Sequence, residues 1–204
     1  NRYPSRGWNA YHVVYQDAQR WLKEGIHDAL FPMMYFQGNN FYPFALDWKE
    51  NDGKRWIIPG LGIYFLSPRE QDWPLDEIVR QIHFTRQIKL NGQAYFRNRF
   101  LLDNTKGVLD ELEENFYTYP ALIPPMTWSD SIPPSVPSHP SVQQIANGKL
   151  RMSWQASADN SNQSVVYHLY GSDTYPVDIK QPQNLIATHL TANELSLIHI
   201  SEPT

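Results

Sequence analysis

The sequence predicts an α/β chain. It reads as the C-terminal portion of a (β/α)8 barrel, about three strand–helix units, followed by a partial all-β sandwich. Three observations predict this. Short apolar runs without helical period alternate with amphipathic helical segments, which is the pattern of βαβ units and a parallel sheet. A Pro/Ser-rich stretch, Ile132 to Pro140, "IPPSVPSHP", then interrupts the chain. Beyond it the apolar period drops to two, as in strands with one buried face.

The elements follow in order. From Trp8 to Glu24, Tyr11, Val14, Ala18, Trp21 and Leu22 fall on one helical face, and Gly25 is placed to end that helix. Ile26 to Phe36 is apolar and aperiodic, a strand buried on both faces, broken by Gly38-Asn39-Asn40. Phe44 to Asn51 is a short amphipathic helix. Arg55 to Leu66, "RWIIPGLGIYFL", is a second strand whose glycines predict a bulge or close backbone approach. Leu75 to Leu90 is a strong helix, with Leu75, Ile78, Val79, Ile82, Thr85, Arg86 and Lys89 tracing its turns and Asn91-Gly92 closing it. Gln93 to Phe96 is a third short strand, and Gly107 to Tyr117 a last helix.

Three parallel strands cannot bury both faces of a sheet, and a barrel needs about 250 residues and eight strands. The expected organisation is therefore residues 1–130 as the last units of a longer barrel, 131–140 as a semi-rigid linker and 141–194 as the partial sandwich. In that last part "KLRMSWQAS" puts Leu150, Met152 and Trp154 on one face, and "SVVYHLYGS" alternates likewise.

Both ends carry expectations of their own. The chain opens on Asn1 rather than Met, so the natural start is expected upstream and the lack of a visible signal peptide excludes nothing. Residues 195–204, "LSLIHISEPT", resemble the translation of a transposase adapter used in preparing sequencing libraries. They are expected to be foreign and are set aside; the competing reading is a native strand, since LSLIHI alternates.

Composition narrows function. Net charge is −4 and no basic run occurs, so nucleic acid is not an expected partner. No apolar run approaches the roughly 20 residues of a membrane helix. There is no cysteine, which removes disulfides and thiolate metal sites. The seven His show no metal spacing such as H-E-x-x-H, and neither a G-x-S-x-G elbow, a P-loop nor G-x-G-x-x-G occurs. No metal and no cofactor is expected. Aromatic content is high, with seven Trp and twelve Tyr. Such rings fill cores, and they also stack on sugar faces.

The segment "YQDAQRWLKEGIHDALFPMMYF" carries Tyr15, Asp17, Trp21, Gly25, Asp28, Pro32 and Tyr35 in a spacing of Tyr-x-Asp, Trp, then Gly-x-x-Asp-x-x-x-Pro-x-x-Tyr. It resembles a bacterial family of glycoside-hydrolase-like TIM barrels, glycosyl hydrolase-like 10, formerly a domain of unknown function. "PGLGIYFL" and "GQAYFRNRFL" fit that family's seventh and eighth strands, and "YPALIPP" fits its end. The resemblance covers about residues 2–128. Residues 141–194 resemble a fibronectin type III module, on the Pro-rich entry, Leu150-x-Met152-x-Trp154 and Tyr167-x-x-Tyr170.

The resemblance implies a glycoside hydrolase acting on a bacterial envelope or other polysaccharide, with peptidoglycan glycan strands one candidate, by carboxylate acid/base chemistry. It also implies a secreted, periplasmic or cell-surface protein with a poly- or oligosaccharide partner. Ligands bind such barrels at the C-terminal strand ends. The expected binding residues there are Tyr35, Gln37 and Asn39 after one strand, Tyr64 after the next, Arg97 and Asn98 after the third, and Trp8 on the entry loop. Asn40, Phe65, Phe96 and Tyr11 lie beside them.

Glycosidases usually need two carboxylates. Asp17, flagged by the family motif, is a weak candidate. Asp28 begins its strand, at the wrong end. Glu70 and Asp72 read as solvated loop charges, and Asp103, with Asn104 and Thr105, as helix entry. The essential acids are expected in the missing upstream half, so the chain by itself is expected to be inactive. The rival reading is a non-catalytic carbohydrate-binding or surface-attachment protein on a degenerate barrel.

Overall fold

The computed structural model describes residues 9–145, 149–161 and 164–197. The chain divides into two compact units, Asn1–Thr118 and Tyr119–Thr204. The division falls ahead of residue 130, where composition put it.

The single helix expected over 8–24 is two helices, α1 (Ala10–Val13) and α2 (Ala18–Lys23). Their separate starts explain the break. The Asn9 side chain accepts from the Tyr11 and His12 amides, and the Asp17 side chain accepts from the Arg20 amide. A capping side chain satisfies amides that a continuous helix would bond to its own carbonyls. Between the two, Tyr15 takes φ +58°. Gly25 ends α2 as expected, at φ +72°: its amide donates to Leu22 and that of Ile26 to Trp21. That is the paired 5→2 and 6→1 closure that a left-handed residue allows.

The apolar runs pair in parallel. β1 (Ala29–Leu30) lies beside β2 (Trp56–Ile57), and β3 (Gly60–Leu61) beside β4 (Ala94–Tyr95). A bridge from Met33 to Gly60 links the two pairs. Gly60 donates to the Pro32 carbonyl and accepts from the Met34 amide, while the Phe96 amide donates to Leu61. The ladder thus runs through three consecutive chain segments, 28–34, 56–61 and 94–96. The regular strands are shorter than the apolar runs predicted, because Pro59 interrupts the second run and residues Ile63–Leu66 close into a 3₁₀ turn.

Helices α3 (Tyr42–Glu50) and α4 (Leu75–Gln87) connect successive segments. α4 buries Glu77, Ile78, Gln81, Ile82 and Thr85, one stripe at spacings of three and four. Arg86 and Lys89, expected on that stripe, are exposed. The helix does not close on Asn91-Gly92. Lys89 takes the left-handed closing position at φ +58°, with Lys89 N donating to Arg86 and Leu90 N to Thr85. Asn91 instead accepts from the Ile57 amide through its side chain, tying the helix exit to β2. Then come α5 (Asn98–Leu102) and α6 (Val108–Glu111), the latter running on into a π turn over Leu112–Phe116. Phe41, Ala45, Leu61, Ile63, Leu66, Ile78, Ile82, Phe100, Val108 and Leu112 form the core of this unit.

In the second unit β5 (Ser138–Gln144) starts inside the stretch expected as linker. It pairs antiparallel with β6 (Leu150–Gln155), which also pairs with β9 (Glu194–Leu197). β7 (Tyr167–Tyr170) and β8 (Leu185–Leu190) form a separate antiparallel pair. The chain passes through that pair before returning to β6. Trp154 meets Tyr167 edge to face at 5.3 Å, and the Tyr167 hydroxyl accepts from the Ser157 amide. Residues 195–197, set aside above, pair with Met152, Arg151 and Leu150. Alternating residues next to an open strand edge pair this way whatever their origin.

Candidate functional site

The C-terminal ends of the three parallel segments each carry one aromatic ring, and the three rings meet. Tyr35 stacks on Phe96, centroids 5.2 Å apart and planes 20° apart. Tyr64 meets Tyr35 edge to face at 5.8 Å and Phe96 edge to face at 5.6 Å. Behind them Tyr64 contacts Phe65, and Phe65 contacts the buried Trp73.

The glycines of "PGLG" make room for this cluster. A Cβ on Gly60 would stand 3.0 Å from the Tyr35 ring and 3.3 Å from the Pro32 carbonyl. One on Gly62 would stand 3.1 Å from the Tyr35 Cβ and 3.3 Å from its Cα. The close approach that the sequence predicted is therefore an approach to Tyr35.

Tyr35 and Tyr64 are half-buried, and Phe96 is 45% exposed. Burial raises the Tyr35 phenol above its ordinary value. Burial raises Tyr64 as well, helped by the Glu70 carboxylate and by Tyr35. Both therefore stay protonated at neutral pH and can donate as well as accept. Among the described residues neither hydroxyl has a hydrogen-bond partner. The cluster offers flat apolar surface edged by two unspent hydroxyls.

A buried polar network backs it. Gln81, fully buried on α4, donates through Nε2 to the Phe36 carbonyl at 2.9 Å and to Glu77 Oε1 at 3.0 Å. Glu77 is 5% exposed and also accepts from the Tyr42 hydroxyl and from Arg80. Charge-assisted bonds of this kind offset the cost of burying the carboxylate.

The chain is 28% identical over 197 residues to glycosyl hydrolase YngK of Bacillus subtilis (strain 168). This similarity supports a glycosyl-hydrolase-like family. The match covers 92% of the chain, so it takes in most of both compact units, and 38% of the relative. The chain thus spans well under half of that protein's length. No family model matches the chain. No solved structure matches it either.

Of the residues expected at the site, the fold joins Tyr35 and Tyr64, with Phe96 as the ring between the third strand and Arg97. The Phe96–Arg97 peptide is cis. Arg97 is exposed, its guanidinium 5.5 Å from the Phe100 ring. Gln37, Asn39 and Asn98 are exposed, and among the described residues no hydrogen bond or ring contact links them to the cluster. Gln37 and Asn39 belong to the 3₁₀ turn after Tyr35, which points the chain away into α3. Trp8 lies outside the described residues.

The acids sort by their partners. Asp17 caps α2 and lines an open surface groove with Tyr11, His12 and Tyr15. Asp47 is buried, accepting from Gln19 and Asn51. Asp72, read as a solvated charge, accepts from Lys106 at 2.6 Å. Asp103 closes α5 and pairs with Arg99, rather than opening the next helix. That role falls to Asn104, whose side chain accepts from the Leu109 and Asp110 amides. Glu70 is the carboxylate felt by Tyr64. The described residues hold no group of three or more His, Asp or Glu placed for a metal ion, and no helix long and apolar enough to cross a membrane.

Sequence reading missed Glu77 and Gln81. The available signal was their place on α4: both fall on the face of Ile78 and Ile82, where a polar side chain must find a buried partner.

Proposed function

We propose that the first unit is the C-terminal part of a (β/α)8 barrel and that its aromatic rim binds a glycan. The observation that carries this is the meeting of Tyr35, Tyr64 and Phe96 at the C-terminal ends of three consecutive parallel segments, with two phenol hydroxyls unspent. Sugars present an apolar C–H face bordered by hydroxyls, and that surface matches stacked rings edged by O–H groups. Ile26, Phe31 and Met33 are exposed apolar residues flanking β1, as expected if further strands cover them.

The whole protein would be a glycoside hydrolase acting on a bacterial envelope or other polysaccharide, peptidoglycan glycan strands among the candidates. Two carboxylates about 5 to 9.5 Å apart would supply its chemistry. With such a substrate it would work outside the cytoplasm, secreted, periplasmic or on the cell surface. The separation of β5–β6–β9 from β7–β8 supports reading the second unit as a partial fibronectin III-like sandwich that spaces or positions the barrel.

A second reading is a non-catalytic glycan binder. It is favoured by the duties of the acids among the described residues: Asp17 caps a helix, Asp47 and Glu77 are committed to buried hydrogen bonds, and Glu70 is the acid that acts on the ring cluster.

The test is calorimetric titration of the chain with tetra-N-acetylchitotetraose and with soluble peptidoglycan glycan strands, alongside product analysis by chromatography. Binding that falls about tenfold or more in Tyr35→Ala and Tyr64→Ala, the worth of one good stacking contact, supports the rim. Binding without product in the full-length protein favours the binder. No binding by the wild-type chain to either glycan sinks the rim assignment.

A further inference from the structure

We propose that Gln81 is a positioning residue, holding the Tyr35 rim in register through the Phe36 carbonyl. This rests on the glycan-rim reading above.

Three observations carry it. The first is the path. Gln81 lies on α4, 45 residues from Phe36, and its Nε2 is 2.9 Å from the Phe36 carbonyl. Phe36 follows Tyr35 directly, at the point where the parallel ladder ends and the chain turns into the Gln37–Asn40 segment. Among the described residues the Phe36 amide bonds locally, to Met34. The Gln81 bond therefore ties the peptide that leaves Phe36, one residue past Tyr35, to α4.

The second is that the amide has one way to sit. Both neighbours of Nε2, the Phe36 carbonyl and Glu77 Oε1, are acceptors. Rotating the amide by half a turn would put oxygen against oxygen. Glu77 is fixed in turn by the Tyr42 hydroxyl and Arg80. The charged and titratable groups facing the amide are thus Glu77 and Arg80 of its own helix and Tyr42 of α3.

The third is that Gln81 is a polar residue with no exposed surface, whose Oε1 has no partner among the described residues. A leucine or methionine would fill this place without leaving an acceptor unpaired. Retaining a half-satisfied amide in a core makes sense where its donor has a task, and the task visible here is the Phe36 carbonyl.

The experiment compares wild type, Gln81→Met, Gln81→Glu and Tyr35→Ala in the full chain, by calorimetric binding of tetra-N-acetylchitotetraose and by thermal melting. Gln81→Met keeps the volume and removes the donor. Gln81→Glu keeps the shape and removes the donor only while ionised; protonated, it donates again. The expected result is a roughly tenfold loss of affinity in Gln81→Met. Burial and the neighbouring Glu77 carboxylate hold the introduced carboxyl protonated well above the usual carboxylate range, so Gln81→Glu is expected to bind toward wild type at pH 5 and to weaken toward Gln81→Met as pH is raised to 9, a fall the wild type lacks. If both Gln81 variants bind like wild type while Tyr35→Ala does not, the positioning role is wrong and the rim stands. If Gln81→Met loses melting temperature and affinity together and Gln81→Glu shows no such fall in affinity between pH 5 and pH 9, Gln81 is only a core residue and the proposal is overturned. If wild type and Tyr35→Ala both fail to bind, the rim reading fails and takes this inference with it.

Discussion

Tyr35 and Phe96 are 61 positions apart in the chain, yet their rings stack with centroids 5.2 Å apart. Neither is fully buried, so the contact is a piece of accessible surface built by the ends of two parallel segments. An aromatic pair of this kind contributes about 0.5–1.5 kcal/mol beyond the area it buries. A double-mutant cycle of Tyr35→Leu and Phe96→Leu, read by chemical denaturation, should give a coupling of about 1 kcal/mol. A coupling near zero would show that the rings do not stack in solution.

Gly60→Ala should disturb the same ring by pressing a methyl against it. The new methyl would stand 3.0 Å from the Tyr35 ring and 3.3 Å from the Pro32 carbonyl, and the latter is backbone that cannot step aside. Overpacking of this sort costs roughly 1–3 kcal/mol. Near-ultraviolet circular dichroism should report the displaced tyrosine, while the far-ultraviolet helical signal stays.

Of the three described lysines at positive φ, Lys54, Lys89 and Lys106, the last two should respond in opposite directions. Lys89 closes α4 at φ +58° with an exposed side chain, so Lys89→Gly removes a left-handed penalty of about 1 kcal/mol and should raise the melting temperature. Lys106, at φ +55°, donates through Nζ to the Asp72 carbonyl and carboxylate and to the Trp73 carbonyl. Lys106→Gly loses those bonds and frees the segment that carries Trp73 against Phe65, so its melting temperature should fall. Equal shifts of one sign in both variants would contradict this assignment.

Alkaline pH should unfold the first unit early. Burial raises the phenols of Tyr35, Tyr64 and Tyr95 above the ordinary value of 10.0, Tyr95 most strongly, with its bond to Tyr117 adding to the effect. For each, the unfolded chain releases its proton at lower pH than the folded one. Stability is then fully present below about pH 10 and falls as pH rises beyond it. Melting temperatures recorded from pH 7 to 11 should be flat and then drop; a rise above pH 10 would refute the buried-phenol account.

Much of this was legible in the chain. The alternation of apolar runs and amphipathic segments gave the three parallel-pairing regions and α4, because local period and burial share one cause. Gly25 could be read as a helix end, and the "PGLG" glycines as a close approach, because only glycine has no Cβ to lose. Tyr35 and Tyr64 could be placed together at one end of the parallel segments from their position after the apolar runs. The breaks and closures were less readable. In "NAYHVVYQDAQ" Asn9 and Asp17 are both of the residue types that cap helices, but an unbroken helical period runs through them, and whether each starts a helix is decided by local competition for amides. Lys89 closes α4 although Gly92 stands nearby, because Asn91 is held by the Ile57 amide of β2.

The sequence by itself determined which residues are apolar, at what period, and which positions tolerate only glycine. Tertiary structure alone decided that Phe96 completes the ring cluster, that Arg97, Gln37, Asn39 and Asn98 stand apart from it, and that Gln81 reaches across 45 residues to Phe36. The reason is physical: periodicity reports which face of an element is buried, whereas a stacked ring or a single hydrogen bond depends on where two distant elements come to rest.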